Sequence, residues 1–117
     1  MRQARLTIEA RRDVDDIIDH SIEAFGVPAA RRYGRLISAA IQDVASNTAR
    51  LGVRRVEEGA DEPLLYPIRY SRRAGPSSER IGRPRHVLIF RLRGEVVEVV
   101  RVLHDTMDLV RHLDLEG

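Results

Sequence analysis

The chain has 117 residues, of which 43% are hydrophobic and none is cysteine, and its net charge is only +2. This length supports one domain with its own core, and the lack of cysteine excludes disulfides, thiol nucleophiles and cysteine metal sites. All 20 basic residues are arginine, which excludes Schiff-base lysines and the lysine of a P-loop. No apolar run resembles a signal peptide or a membrane span, so we expect a cytoplasmic protein without membrane contact.

The N-terminal part of the chain predicts a short strand and two helices. Residues 3–8 alternate polar and apolar side chains, which is the period of a strand. Apolar residues then recur every three or four positions between Thr7, a potential N-cap, and Gly26, a typical stop. Pro28 favours the start of a second helix, whose apolar stripe ends at Val44. Because the link between them is so short, the two helices are expected to form an antiparallel hairpin.

The middle of the chain predicts one strand between two loops. Residues 46–63 lack periodicity and are interpreted as loop. Residues 64–70 indicate a strand, in which Pro67 favours an edge position or a bulge. Residues 71–84 are rich in Arg, Ser, Gly and Pro, which is typical of a flexible loop.

The C-terminal part predicts a hairpin of two strands and a last helix. Residues 85–91 and 96–103 are the clearest strands. A two-residue turn at 93–94 would set His86 opposite Arg101. A capping box at Asp105 indicates a short helix through Leu113.

The resulting order β-α-α-β-β-β-α predicts an α+β fold over residues 1–117. Its small antiparallel sheet would carry the N-terminal helical hairpin on one face. The apolar face of the C-terminal strands offers the natural seat for that hairpin and consists of Leu88, Phe90, Val97 and Val99.

Charge is distributed unevenly along the chain. Residues 63–94 contain eight arginines and one acid, whereas residues 95–117 contain two arginines and six acids. An arginine-rich segment suits phosphates and acidic peptides equally well. A solvated loop in a chain that uses arginine throughout would give the same pattern, and few aromatic residues lie in the segment to stack on bases.

Two histidine patterns raise questions of chemistry. His104, Asp108 and His112 recur at intervals of four, which a helix would align, but the chain offers no obvious fourth ligand for a metal ion. Asp108 near the start of a helix and His112 near its end also suit a purely structural role, because their charges complement the helix dipole. Alternatively, His104 as acid or base and Arg101 as a phosphate ligand would fit a nuclease.

The C-terminal third resembles the end of ParE-type toxins. The resemblance rests on residues 85–91 (RHVLIFR), 98–108 (EVVRVLHDTMD) and 111–113 (RHL), of which the R-V-L-H-x-x-M-D run is the most specific part. The N-terminal half agrees through residues 10–17 (ARRDVDDI), Gly26 and a second helix with Tyr33. The long segment 71–84 departs from simpler members, which make a tighter turn there.

This resemblance implies the fold of RelE-type toxins, poisoning of DNA gyrase without substrate turnover, and no cofactor or metal. It also implies neutralisation by an acidic, ParD-like antitoxin in a hetero-oligomer. RNA cleavage of the RelE kind is the alternative, with Arg101 and His104 as catalytic residues. It is disfavoured because such ribonucleases use lysines and a late tyrosine, and this chain has no lysine and no tyrosine after Tyr70.

The resemblance also suggests where the two partners bind. The helical hairpin and the basic segment would contact the antitoxin through Tyr33, Leu36, Ile37, Ile41, Arg69, Arg85 and Arg91. The end of the last strand and the residues after it would contact the target through Arg101, His104, Met107 and Asp108.

Overall fold

The computed structural model describes residues 2–55, 63–72 and 84–105. In chain order these residues form two helices, five strands and one 3-10 turn. They are β1 (Gln3–Leu6), α1 (Ile8–Phe25), α2 (Val27–Ser46), β2 (Arg54–Arg55), β3 (Leu64–Pro67), the 3-10 turn (Ile68–Ser71), β4 (His86–Arg93) and β5 (Val96–His104).

The helical hairpin forms as its sequence predicts. The Thr7 side chain accepts a hydrogen bond from the Ala10 amide at 3.1 Å and so caps α1. Gly26 ends α1 with a φ of 89°, a left-handed value that glycine adopts without a steric penalty. Pro28 lies in the first turn of α2, where its missing amide hydrogen costs nothing. Both the caps and the antiparallel hairpin are therefore confirmed.

The sheet has five strands in the order β1-β5-β4-β3-β2. The pairs β3–β4 and β4–β5 are antiparallel, as expected, and the unpredicted pair β2–β3 is antiparallel as well. β1 lies parallel to β5, which makes the sheet mixed. The direction of β1 depends on the path that α1 and α2 take across the sheet, and the alternation of residues 3–8 carries no information on it. The α+β fold with the hairpin on one face is confirmed.

The β4–β5 hairpin corrects the predicted register. The turn residues are 94–95, one position later than the expected 93–94, so Arg93 pairs with Val96 and Leu92 pairs with Val97, two residues beyond its expected partner Glu95. A bulge at Ile89/Phe90 shifts the pairing once more and sets His86 opposite His104 instead of Arg101. The assignment of faces survives because side chains alternate with a period of two, so a slip of two residues leaves every side chain on its predicted face.

Other boundaries also differ from the prediction. The first strand ends at Leu6, because α1 already begins at Ile8. The segment 46–63, interpreted as loop, contributes β2, too short to show a period. The strand predicted over 64–70 ends at Pro67 and continues as the 3-10 turn. Pro67 is tolerated there because β2 pairs only with Leu64 and Leu65, which leaves the outer edge of β3 unpaired at the proline within the described residues.

Two predicted elements lie mainly or wholly outside the described residues. The C-terminal helix is wholly outside them. Of the loop predicted over 71–84, the described ends are Ser71, Arg72 and Pro84, and Ser71 belongs to the 3-10 turn and is buried.

The core lies between the helical hairpin and the sheet. The predicted inner face of β4 and β5 is confirmed, because its four apolar side chains are fully buried against α1 and α2. Leu36, Ile37, Ala40 and Val44 supply the α2 side of this core. A smaller apolar cluster occupies the opposite face of the sheet and consists of Leu65, Val87, Ile89 and Leu103.

One buried polar network joins α2 to the 3-10 turn. The Ser71 hydroxyl donates to Asp43 Oδ2 at 2.6 Å, and the Tyr66 hydroxyl contacts Ser71 Oγ at 2.8 Å. Arg50 Nη1 lies 3.1 Å from the same Asp43 oxygen. The carboxylate therefore gives the buried Ser71 hydroxyl an acceptor, which avoids the cost of burying it unpaired, and pairs with one end of the Arg50 guanidinium.

The position of the core predicts a difference between two isoleucine substitutions in the helices. Ile37→Ala should lower the free energy of unfolding by roughly 2–5 kcal/mol, because Ile37 is 2% exposed within the core. Ile22→Ala is the matched control, since Ile22 is 39% exposed and should cost about 1 kcal/mol or less. Urea unfolding measures both, and equal losses would contradict the assigned helix faces.

Candidate functional site

Three aromatic polar side chains meet where β4 begins and β5 ends. The Tyr33 hydroxyl of α2 lies 2.6 Å from His86 Nδ1, and the two rings meet edge to face. His86 and His104 are direct neighbours across the strands, and their ring centroids are 5.2 Å apart. We call this group the Tyr33–His86–His104 cluster.

Burial controls the protonation of this cluster. Desolvation raises the pKa of the Tyr33 hydroxyl, so the phenol stays protonated in its hydrogen bond with His86 Nδ1. Burial, followed by the repulsion of His104, lowers the pKa of His86 from 6.5 to about 4. Near neutral pH, His86 is therefore an uncharged imidazole.

Charged groups surround the cluster at the sheet end. Arg85 Nε lies 3.2 Å from Asp105 Oδ1, and the same oxygen lies 3.4 Å from His104 Nδ1. The Asp105 amide donates to the Arg85 carbonyl at 2.7 Å, which closes the end of the β4–β5 ladder. The ion pair is partly exposed, so water screens it.

Arg101 is held by the first helix. Its Nε and Nη2 atoms donate to the two carboxylate oxygens of Asp13, at 2.7 and 3.0 Å. Asp13 Oδ2 also accepts the Val102 amide at 2.9 Å. This Asp13–Arg101 clamp fastens α1 to β5, and such a forked arrangement is stronger than a single-contact ion pair.

The structure places the residues proposed for the antitoxin in different environments. Leu36 and Ile37 are buried in the core, and Ile41 packs against it, so these three shape the hairpin more than they line its surface. Tyr33 belongs to the cluster described above. The three arginines are spread along the chain. Arg69 stacks on Tyr70 in the 3-10 turn, and Arg85 directly precedes β4. Arg91 lies in β4 and donates to Glu98 on β5.

Of the residues proposed to contact the target, two are described. Arg101 and His104 both lie on β5, but the first is engaged by Asp13 and the second faces His86 and Asp105. Met107 and Asp108 lie outside the described residues. His112, the third residue of the pattern considered for a metal ion, lies outside them as well.

Sequence reasoning missed several partners of these residues. Asp13 is one of several acids in the first helix, and nothing local in the sequence marks it as the ligand of Arg101. The pairing of His86 with His104 follows from the true register of the hairpin and was hidden by the bulge. Glu98 was likewise unassigned, although it collects three arginines: Arg5, Arg91 and Arg93.

A shallow groove runs along the helical hairpin on the side of Gly34. It has a volume of about 670 Å³ and combines two arginines with small and polar side chains. A Cβ at Gly34 would lie 3.4 Å from Ile18 Cδ1, which is about van der Waals contact, so α1 and α2 lie against each other at this position. The groove is lined by Val14, Arg31, Gly34, Arg35, Ser38, Ala39 and Gln42.

The described residues lack two further features. Neither of the two long helices there combines the length and the apolar character needed to cross a bilayer. In the same ranges, no three His, Asp or Glu side chains converge as metal ligands would.

The lowered pKa of His86 predicts a specific dependence of stability on pH. Between pH 6.5 and about 4 the unfolded chain binds a proton that the folded chain excludes, so stability should fall as the pH falls through this window. His20, Asp13, His104 and Asp105 also influence this histidine. His86→Gln should flatten the dependence of the urea midpoint between pH 7 and 4.5, whereas His20→Gln, at an exposed site, should retain it. Equal slopes in both variants would contradict the assignment.

Comparisons with known proteins identify the family. Residues 4–109 match the sequence model described as "ParE toxin of type II toxin-antitoxin system, parDE". The chain is 32% identical to Toxin ParE1 of Caulobacter vibrioides over 113 residues, covering 97% of this chain and 99% of that one. It is 31% identical to Toxin ParE1 of Mycobacterium tuberculosis over 109 residues, covering 92% and 94% respectively.

A solved structure supports the fold independently. The chain is similar to one from the chromosomal ParDE toxin–antitoxin system of P. aeruginosa, with a TM-score of 0.64 and 19% identity. The alignment covers 89% of this chain and 96% of that chain. The chain therefore belongs to the ParE family, the toxins of parDE type II toxin–antitoxin systems.

Proposed function

We propose that this toxin acts in the cytoplasm by binding and inhibiting DNA gyrase, without catalysing a reaction, and that a ParD-like antitoxin neutralises it. The observation that carries the proposal is the engagement of Arg101. A nuclease needs a cation aimed at the scissile phosphate, whereas the Nε and Nη2 atoms of Arg101 donate to the two carboxylate oxygens of Asp13.

The histidines support the same proposal. The pKa of His86 is about 4, so near neutral pH it is not the imidazolium that a general acid requires, and it is a weak base. His104 is in contact with His86 and Asp105. The part of the chain that the structure describes thus offers fixed polar contacts at the end of β5, which suit binding more than proton transfer.

The proposed binding surfaces follow from these contacts. We place the target surface at the end of β5, with His104 and the positions of Met107 and Asp108, and assign Arg101 to positioning β5 through Asp13. We place the antitoxin on the hairpin side, where Arg31 and Arg35 line the groove. Arg69 and Arg85 are exposed and would attract an acidic partner.

The mechanism is tested by inducing the toxin in cells and measuring growth, the DNA damage response and transcript integrity. Gyrase inhibition predicts growth arrest with a DNA damage response and intact messenger RNA. Inhibition of supercoiling by purified gyrase should accompany it. Arrest with cut transcripts and normal supercoiling would overturn the proposal in favour of the ribonuclease.

Substitutions at His104 separate binding from catalysis. His104→Gln keeps hydrogen-bonding capacity but cannot shuttle protons near neutral pH, so it should remain toxic if His104 only binds. A catalytic histidine contributes typically 10²- to 10⁴-fold in rate, and glutamine would forfeit this as fully as alanine does. Growth arrest is compared for wild type, His104→Gln and His104→Ala at matched soluble expression. Loss of toxicity in both folded variants, with transcripts cut only by wild type, would contradict a binding role.

The antitoxin surface predicts a kinetic effect of charge. Replacing Arg69 and Arg85 by Gln should slow association with the antitoxin encoded beside the toxin severalfold, with little change in dissociation, because exposed charges act mainly through steering. The difference should shrink as salt rises. Arg12→Gln, an exposed change on α1, is the control. Surface plasmon resonance at two salt concentrations measures both rates. An unchanged association rate would show that Arg69 and Arg85 do not belong to the antitoxin-binding surface.

A further inference from the structure

The tip of the helical hairpin exposes apolar side chains. Ile22 is 39% exposed, Phe25 74% and Val27 46%. Ile22 and Phe25 lie one turn apart on α1, and Val27 follows directly after Gly26 as the first residue of α2. No other run of six described residues exposes three large apolar side chains. Because adjoining apolar groups at a surface mark interaction sites, this hairpin tip is a candidate contact surface.

A row of acids continues from the hairpin tip along α1. Asp15, Asp19 and Glu23 recur at every fourth residue and are all exposed, so they lie on one side of the helix, away from the buried Ala10. We call these three residues the acid row. Within the described residues, none of them forms an ion pair. Like charges at this spacing repel each other, so bases brought in from outside would stabilise the row.

A row of bases lies beside it on α2. Arg31 and Arg35 are four residues apart, are exposed, and line the groove along the hairpin. We call these two residues the base row. They too form no ion pair in the part of the chain that the structure describes. Residues 13–25 contain no arginine and residues 27–42 contain no acid, so the outer face of the hairpin has an acidic half and a basic half.

The two rows are offset along the hairpin by half of their spacing. At a helical rise of about 1.5 Å per residue, the acid row lies roughly 4.5, 10.5 and 16.5 Å from Gly26 along the helix axis. The base row lies at about 7.5 and 13.5 Å on the same scale. Each arginine is therefore level with the space between two acids. If the acid row of another molecule lay over the base row at the same level, the two rows would interdigitate.

The charges select one way to place a second copy of the chain on this face. An isologous pair brings the same surface of both copies together around a two-fold axis. If the axis runs along the helices, α1 of each copy lies over α2 of the other, so acid row meets base row twice and the two hairpin tips meet. If the axis runs across the helices, α1 lies on α1 and acids oppose acids. The outer face of the hairpin is therefore complementary to itself in the first orientation.

We propose that the free toxin pairs with a second copy of itself through the outer face of the hairpin, with the two-fold axis parallel to α1 and α2. The two hairpin tips would bury their exposed apolar side chains against each other, with Phe25 contributing the largest. Each arginine of the base row would bind between two acids of the other copy. The contact is small, so the pair should be weak and reversible. The antitoxin proposed for the same groove would have to displace the second copy.

Sedimentation equilibrium of the full chain, from micromolar to millimolar concentration, tests the pairing. Wild type should pass reversibly from monomer to dimer. Phe25→Ser should weaken the dimer at least about tenfold, because it removes the largest apolar contact. Leu51→Ser is the matched control, since Leu51 is 84% exposed but lies outside the hairpin, and it should leave the dimer unchanged. A wild type that stays monomeric, or equal weakening by both substitutions, would overturn the proposal.

Reversal of the charges tests the orientation. One variant carries Arg31→Glu and Arg35→Glu, and a second variant carries Asp19→Arg and Glu23→Arg. Each alone should stay monomeric, because like charges would then face each other across the axis. An equimolar mixture should form a one-to-one dimer, because both row contacts are again between opposite charges. Circular dichroism checks the folding of each variant.

Two results would contradict the assigned orientation. One is dimerisation of either reversed variant alone with the affinity of wild type, and the other is a mixture of the two folded variants that stays monomeric. The assay contains neither gyrase nor antitoxin, so its failure leaves the proposed function unaffected.

Discussion

Four apolar side chains of β4 and β5 are enclosed beneath the two long helices, and the polar features of the described structure are arranged around that contact. Leu88, Phe90, Val97 and Val99 are each 0% exposed. Burying such side chains contributes on the order of 1.5–3 kcal/mol each. This contact fixes the distance of α1 and α2 from the sheet, so polar groups at its margin are held at defined separations. The Asp13–Arg101 clamp and the Tyr33–His86 hydrogen bond both cross this margin.

Three carboxylates organise most of the ionic structure around this core. Asp13 binds Arg101, Asp43 binds Arg50 and Ser71, and Glu98 binds arginines from β1 and β4. Each joins elements that are distant in sequence. The planar fork of arginine suits this use, because it can bind two carboxylate oxygens or two neighbouring carboxylates at fixed angles. A chain that uses only arginine as its strong base can therefore hold its elements together and still expose charge to a partner.

The uncharged state of His86, at the end of the sheet where β4 begins, follows from the same packing. Tyr33 reaches His86 because α2 lies across the start of β4, and the burial that results keeps the imidazole uncharged. A group whose proton is excluded by burial makes a poor acid at neutral pH. The features that make this region rigid thus also favour binding over catalysis, in agreement with the proposed inhibition of gyrase.

The sequence by itself determined the local elements and their faces. The Thr7 cap, the Gly26 stop and the apolar stripe of α2 are set by residues within a few positions of each other, and the core face of β4 and β5 follows from a period of two. The alternating pattern of a strand is unchanged when the cross-strand register shifts by two residues, so the turn of the hairpin was predicted one position too early. Together with the bulge, this shift gave His86 the wrong predicted partner. Only the tertiary structure decided the parallel direction of β1, the bulge, the Asp13–Arg101 clamp and the uncharged state of His86. Each of these depends on contacts between residues that are far apart in the chain, and local periodicity does not encode such contacts.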